Sequence, residues 1–100
     1  MNFSFHPEAE TEFFEAIEYF DGCEDGLGLD FSREIFAAIN RVTGFPNAWP
    51  PISDFLRRCL VKRFPYGIIY EVENDEIFIL VVMQLNRDPD YWKHRLSTDR

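Results

Sequence analysis

One stretch constrains this chain more than any other. From Ile77 to Met83 it reads Ile-Phe-Ile-Leu-Val-Val-Met, without a polar residue. Ile77, Ile79, Val81 and Met83 share one parity, and Phe78, Leu80 and Val82 share the other. A strand built from this run is apolar on both faces and belongs in the middle of a sheet. The preceding run, Tyr66 to Glu73, is also rich in the β-branched and aromatic types that suit a pleated surface. Asn74-Asp75 separates the two runs and supplies residues that tolerate the positive φ of a two-residue hairpin turn. The rest of the chain has to cover this hairpin.

Two amphipathic helices precede it. Pro7 suits the first turn of a helix, and Glu8 and Glu10 suit its positive end. Ala9, Phe13, Ala16, Ile17 and Phe20 recur at helical spacing. Glu8, Glu12, Glu15 and Glu18 lie largely off that stripe and read as a solvated face, with a docking site for a basic partner as the alternative. Residues 21–26 have the composition of a turn. A second helix, beginning within Leu27–Asp30, carries the stripe Phe31, Ile35, Ala38, Ile39 and Val42. Gly44 is placed to end it in the left-handed C′ position. Two such helices on a short loop predict an antiparallel hairpin whose stripes face the sheet.

Three prolines within residues 45–51 forbid helix or interior strand there, and Trp49 is expected to fold back on the core edge. Residues 56–64 read as a further strand, and Phe3–Phe5 as a first short strand added at an edge. The predicted fold is α+β: a two-helix antiparallel hairpin on a small antiparallel sheet of three to four strands. The order is β-α-α-β-β-β, followed by a short C-terminal turn or helix opened by Pro89. A chain of 100 residues is one domain, 1–100, with 96–100 expected to fray.

The N-terminus shows neither the basic region nor the apolar run of a secretory signal, and no apolar stretch reaches the roughly 18 residues of a membrane span. Cys23 and Cys59 lack metal-ligand spacing and read as free thiols of a cytoplasmic protein. The net charge of −8 is uneven. Residues 1–50 hold ten acids against Arg33 and Arg41, whereas residues 51–100 hold eight of each sign.

Hydrolase elbow, Walker loop, dinucleotide fingerprint and zinc spacing are all missing from the sequence. His6 and His94 stand far apart and read as cap or surface residues. What remains is a basic and aromatic constellation: Arg57, Arg58, Lys62, Arg63, Arg87, Tyr91, Trp92, Lys93 and Arg95. Guanidinium groups grip phosphate in a fork, and Tyr and Trp stack on bases. The alternative is structural, with arginines paired to Asp88 or Asp90 and Trp92 plugging the core.

The order of four pieces resembles the RelE/ParE superfamily of toxins from bacterial type II toxin–antitoxin systems, often described as plasmid stabilisation proteins. They are Phe5-His6-Pro7-Glu8-Ala9, Gly26-Leu27-Gly28, Phe64 to Tyr70, and Arg87 to Arg95. The resemblance implies a helical hairpin on an antiparallel sheet and a cognate antitoxin that folds over the toxin. It implies DNA gyrase or ribosome-bound mRNA as the target, and no metal, cofactor or membrane. In a RelE-like ribonuclease, Arg57 or Arg63, Arg87 and Tyr91 would be catalytic. Arg58, Lys62, Trp92, Lys93 and Arg95 would hold the target in either class. Many relatives carry a histidine near the end of the last strand and a second basic residue before the matched arginine; this chain has Gln84 and Asn86. That difference and the acidic balance favour a ParE-like gyrase inhibitor over a RelE-like ribosome-dependent endoribonuclease. The third alternative is a non-toxic interaction module on the same fold.

Overall fold

A computed structural model describes residues 1–97. The central hairpin forms as its composition requires. Strand β3 (Tyr66–Glu73) and strand β4 (Glu76–Gln84) pair antiparallel, and Asn74 and Asp75 turn between them at φ of 54° and 60°. Strand β1 (Asn2–Phe5) lies on the far side of β4, and strand β2 (Arg57–Leu60) on the far side of β3, so the order is β1-β4-β3-β2. β4 is therefore interior over the stretch that β1 spans. The edge strand joins in parallel, Phe3 opposite Ile77 and Phe5 opposite Ile79. The sheet is thus mixed where an antiparallel one was expected, because β1 runs alongside β4 before the chain turns into the helices.

Helix α1 (Pro7–Cys23) and helix α2 (Leu27–Gly44) form the hairpin over one sheet face. His6 caps α1, its Nδ1 accepting from the Glu8 N–H at 3.0 Å. α1 runs through Cys23, into the segment read as a turn, and the reversal falls on Gly26 at φ 85°. Gly28 makes the hairpin close: a Cβ there would lie 2.6 Å from the Ile17 carbonyl oxygen. Gly44 does not take the left-handed position expected of it; it ends α2 in helical conformation, and the Phe45 N–H bonds to the Arg41 carbonyl.

The two stripes and the inner face of the sheet enclose the main core: Phe13, Phe31, Ile35, Ile39, Ile68, Tyr70, Ile77 and Ile79 among others. Phe20, Phe31, Phe64 and Tyr66 pack edge to face or tilted, with centroids 4.8 to 5.2 Å apart where they meet Phe31. Trp49 packs against this core, as expected. The Tyr70 hydroxyl donates to the Pro46 carbonyl at 2.8 Å and ties the proline-rich connection down.

β2 is shorter than the strand read over residues 56–64. The chain leaves the ladder after Leu60, and Arg63 takes φ 70° before Pro65, which has no N–H to donate. Lys62 and Arg63 therefore sit in a turn rather than on a strand. β4 carries one extra residue: Ile69 faces Val81 and Tyr70 faces Ile79, leaving Leu80 as a bulge. Leu80 and Val81 then both join a second apolar cluster with Leu56, Ile69, Met83 and Trp92 on the other sheet face. A 3₁₀ turn (Lys93–Ser97) closes the described chain. Of the residues expected to fray, Leu96 and Ser97 lie in this turn, and 98–100 fall outside the described residues.

Candidate functional site

The site grows from a gap in the sheet. β1 pairs with β4 only as far as Ile79, where the His6 N–H takes the Ile79 carbonyl. Beyond that point the bulge leaves backbone groups of β4 turned outward with no strand to meet them. Two side chains take the place of the strand. Glu12 Oε1 accepts from the Val82 N–H at 3.1 Å, and Arg95 Nη1 donates to the Leu80 carbonyl at 2.9 Å. Buried backbone groups must be satisfied, and here the ion pair satisfies them.

Glu12 and Arg95 also bind each other. Nη1 lies 2.8 Å from Oε1 and Nη2 lies 3.0 Å from Oε2, the two-pronged geometry that a guanidinium and a carboxylate prefer. Burial alone would lower the Arg95 pKa; the bond and charge of Glu12, helped by Tyr91 and Glu8, together hold it above the usual value. The Tyr91 hydroxyl donates to the second carboxylate oxygen, Glu12 Oε2. Burial first, and then that bond, push the Tyr91 pKa well above the usual phenol range. At the rim His94 Nε2 meets Glu8 Oε1 at 2.9 Å, and this bond lowers the Glu8 pKa.

Arg87 stands over this cluster. Its Cζ lies 3.9 Å from the centroid of the Tyr91 ring, a cation–π contact, and among the described residues no carboxylate pairs with it. Arg87 borders a cleft of about 190 Å³ with Glu12, Glu15, Tyr19, Tyr66 and Gln84.

Arg87, Tyr91 and Arg95 are thus brought together, as the sequence constellation anticipates, but Arg95 is internal. It is only 4% exposed, and Trp92 is equally buried against the second cluster. Arg58, Lys93 and Trp92 share a separate groove on the second sheet face, with Leu56, Ile69 and Met83, and Lys93 pairs with Asp90 at 3.2 Å. Arg57 donates to the carbonyls of Asn47 and Trp49 and so holds the proline-rich connection. Arg63 reaches Asp30 at 3.6 Å and Glu34 at 3.5 Å on α2. Lys62 is exposed in its turn.

Glu12 is the residue that sequence reasoning missed. Its spacing predicts a solvated position, yet only 13% of its side chain is exposed. The signal was its place between Ala9 and Ala16, three and four residues away and both buried, at the border of the apolar stripe. Among the described residues no cluster of His, Cys, Asp and Glu is arranged to hold a metal ion, and no helix is long and apolar enough to cross a membrane.

Residues 3–89 match the profile of the family described as the ParE toxin of the type II toxin–antitoxin system parDE. The match covers both helices, strands β2 to β4, all of β1 but its first residue, and Arg87, and stops before Tyr91. A comparison with curated protein sequences returns no match. A solved chain described as the chromosomal ParDE TA system from P. aeruginosa superposes with a TM-score of 0.74 at 16% identity, over 86% of this chain and 97% of that one. At that identity the likeness speaks for the fold. The extent of the family match settles membership: this chain belongs to the ParE toxin family of type II toxin–antitoxin systems.

Proposed function

We propose that this chain binds DNA gyrase and blocks it without breaking a bond in nucleic acid, and that a cognate antitoxin holds it in check. The reading rests on the state of Tyr91. Its proton is committed to the Glu12 carboxylate and held above the ordinary phenol range, which suits neither an acid nor a base near neutrality. The end of β4 beside Arg87 carries Gln84, His6 is buried as a helix cap, and His94 is bonded to Glu8. The chemistry left to Arg87 is recognition, through a fork of N–H donors suited to a planar anion. Membership in the ParE family favours gyrase over the ribosome. The solved ParDE system favours an antitoxin partner, and the exposed Phe14 and Phe36 on the helical hairpin offer it apolar surface. Such a protein acts in the cytoplasm, where its target lies.

Induced expression of the chain alone, with separate readouts of plasmid supercoiling and of mRNA ends by primer extension, tests the proposal. The expected result is growth arrest with lost supercoiling and intact mRNA, relieved by Arg87→Ala and by co-expressed antitoxin. Discrete cuts within translated codons that vanish in Tyr91→Phe would replace it with the ribonuclease reading. Unimpaired growth at high expression would replace it with the non-toxic interaction module.

A further inference from the structure

Arg87 is exposed, on a turn, and without a carboxylate partner among the described residues, which are the conditions under which a long side chain samples many rotamers. Its contact with Tyr91 at 3.9 Å restricts it. That ring is itself restrained from two sides: its hydroxyl is bonded to Glu12, and the Arg95 guanidinium lies 5.4 Å from its centroid. Glu12 is fixed in turn by the Arg95 fork and by the Val82 N–H. The order therefore passes from the β4 bulge to Glu12, from Glu12 to Tyr91, and from Tyr91 to Arg87.

We infer that Glu12 is a positioning residue for Arg87: through the Tyr91 hydroxyl it fixes the ring on which the guanidinium rests, and so presents the N–H edge of Arg87 to a carboxylate of the target protein. A guanidinium whose face is occupied by a ring keeps its in-plane donors free, and a carboxylate accepts two of them side by side. A group held in its bound geometry loses less rotamer entropy on association, so affinity is gained without a new contact. A carboxylate suits the site because Arg87, its face held on Tyr91, has no carboxylate opposite its in-plane donors among the described residues, and on a protein target the planar two-oxygen acceptor is a carboxylate. The inference rests on that role for the choice of target; the internal relay from Glu12 to Arg87 stands apart from it.

The experiment separates the two. Tyr91→Phe keeps the ring and leaves the Glu12–Arg95 fork closed, so it tests the hydroxyl link in a folded protein; Glu12→Gln tests the link one step further back. The first readout is the mobility of Arg87 by NMR relaxation at its Nε–H, which needs no target. It is expected to be restrained in the parent and freed in both variants, and an unchanged mobility in Tyr91→Phe would overturn the relay. The second is inhibition of supercoiling by purified gyrase. Arg87→Ala is expected to weaken inhibition about 30-fold, the size of a truncated hot spot, and Tyr91→Phe by a smaller factor. The double variant should be no weaker than Arg87→Ala alone, whereas multiplicative losses would show that Tyr91 acts independently of Arg87 and would overturn the inference. Full inhibition by Arg87→Ala, with the relaxation result as expected, would overturn the gyrase contact and leave the relay standing.

Discussion

Glu12 and Arg95 lie 83 residues apart and meet through two parallel N–H···O bonds of 2.8 and 3.0 Å. Their side chains are 13% and 3% exposed, so each charge depends on the other for the hydration it has given up. Removing one partner leaves a buried charge with nothing opposite it. Arg95→Ala is expected to cost about 3–5 kcal/mol, because it strips Glu12 of its counterion and the Leu80 carbonyl of its donor. Urea unfolding monitored by circular dichroism measures the loss, and a change below about 1 kcal/mol would mean the pair is not buried in solution.

Acid should destabilise the protein through His6. The ring caps α1 with Nδ1 as acceptor, so its neutral form carries the proton on Nε2, and protonating Nδ1 abolishes the cap. Burial, followed by the charge of Arg95, lowers the folded pKa below the unfolded one. A lowered folded value means that the unfolded state binds the proton first. The contribution is therefore full above about pH 6.5 and is lost as pH falls through the folded value. The lowered pKa of Glu8 acts in the same direction further down the acid range. The melting temperature should fall between pH 7.5 and 5, and His6→Asn, which keeps a capping side chain, should flatten that slope.

Gly28 is required by space rather than by backbone angle. A methyl group there would meet the Ile17 carbonyl oxygen at 2.6 Å and the Asp21 carboxyl at 2.8 Å, while the Gly28 N–H donates to Asp21 Oδ1 at 2.9 Å. Gly28→Ala should force the helices apart and cost about 1–3 kcal/mol, despite the better helix propensity of alanine. Gly22→Ala, with open space around its Cβ, is the control and should be neutral or slightly stabilising by thermal melting.

Phe14 and Phe36 are 54% and 42% exposed on adjacent helices, and the Phe36 ring reaches both Phe13 and Phe3. If an antitoxin covers this patch, Phe14→Ser and Phe36→Ser should each weaken the complex about 10-fold or more in isothermal titration. Their effect on unfolding should stay much smaller, since part of each ring is already in water. Unchanged affinity in both would move the antitoxin interface elsewhere on the toxin.

Much of this fold can be read from patterns of two and 3.6. The double-sided run Ile77–Met83 identifies the central strand, and the stripes at Phe13 and Phe31 identify the hairpin. The same double-sidedness hides the bulge at Leu80. Where both parities are apolar, a shift of one residue changes nothing in the hydrophobic pattern. The β2 boundary is hidden for a different reason: residues 56–64 mix apolar and basic types on both parities, so no pattern marks an end at Leu60, and the turn is made by a positive φ at Arg63, a residue type that rarely signals one. The parallel entry of β1 is a matter of topology, which a four-residue strand does not encode locally. At the site, the basic and aromatic residues were visible as types, but their partners were not. Whether an arginine faces solvent, as Arg87 does, or an internal carboxylate, as Arg95 does, is decided by an acid on α1 more than 80 residues away.

That separation has a consequence for the order in which the fold can close. The helical hairpin and the β3–β4 pair close over short sequence separations, whereas the fork must join residues 83 apart and carries a larger loop-closure cost. Until it closes, Glu12 on α1 lacks its counterion and the Leu80 carbonyl lacks its donor. The pair then acts as a clasp that holds the segment around Arg95 against the bulged end of β4.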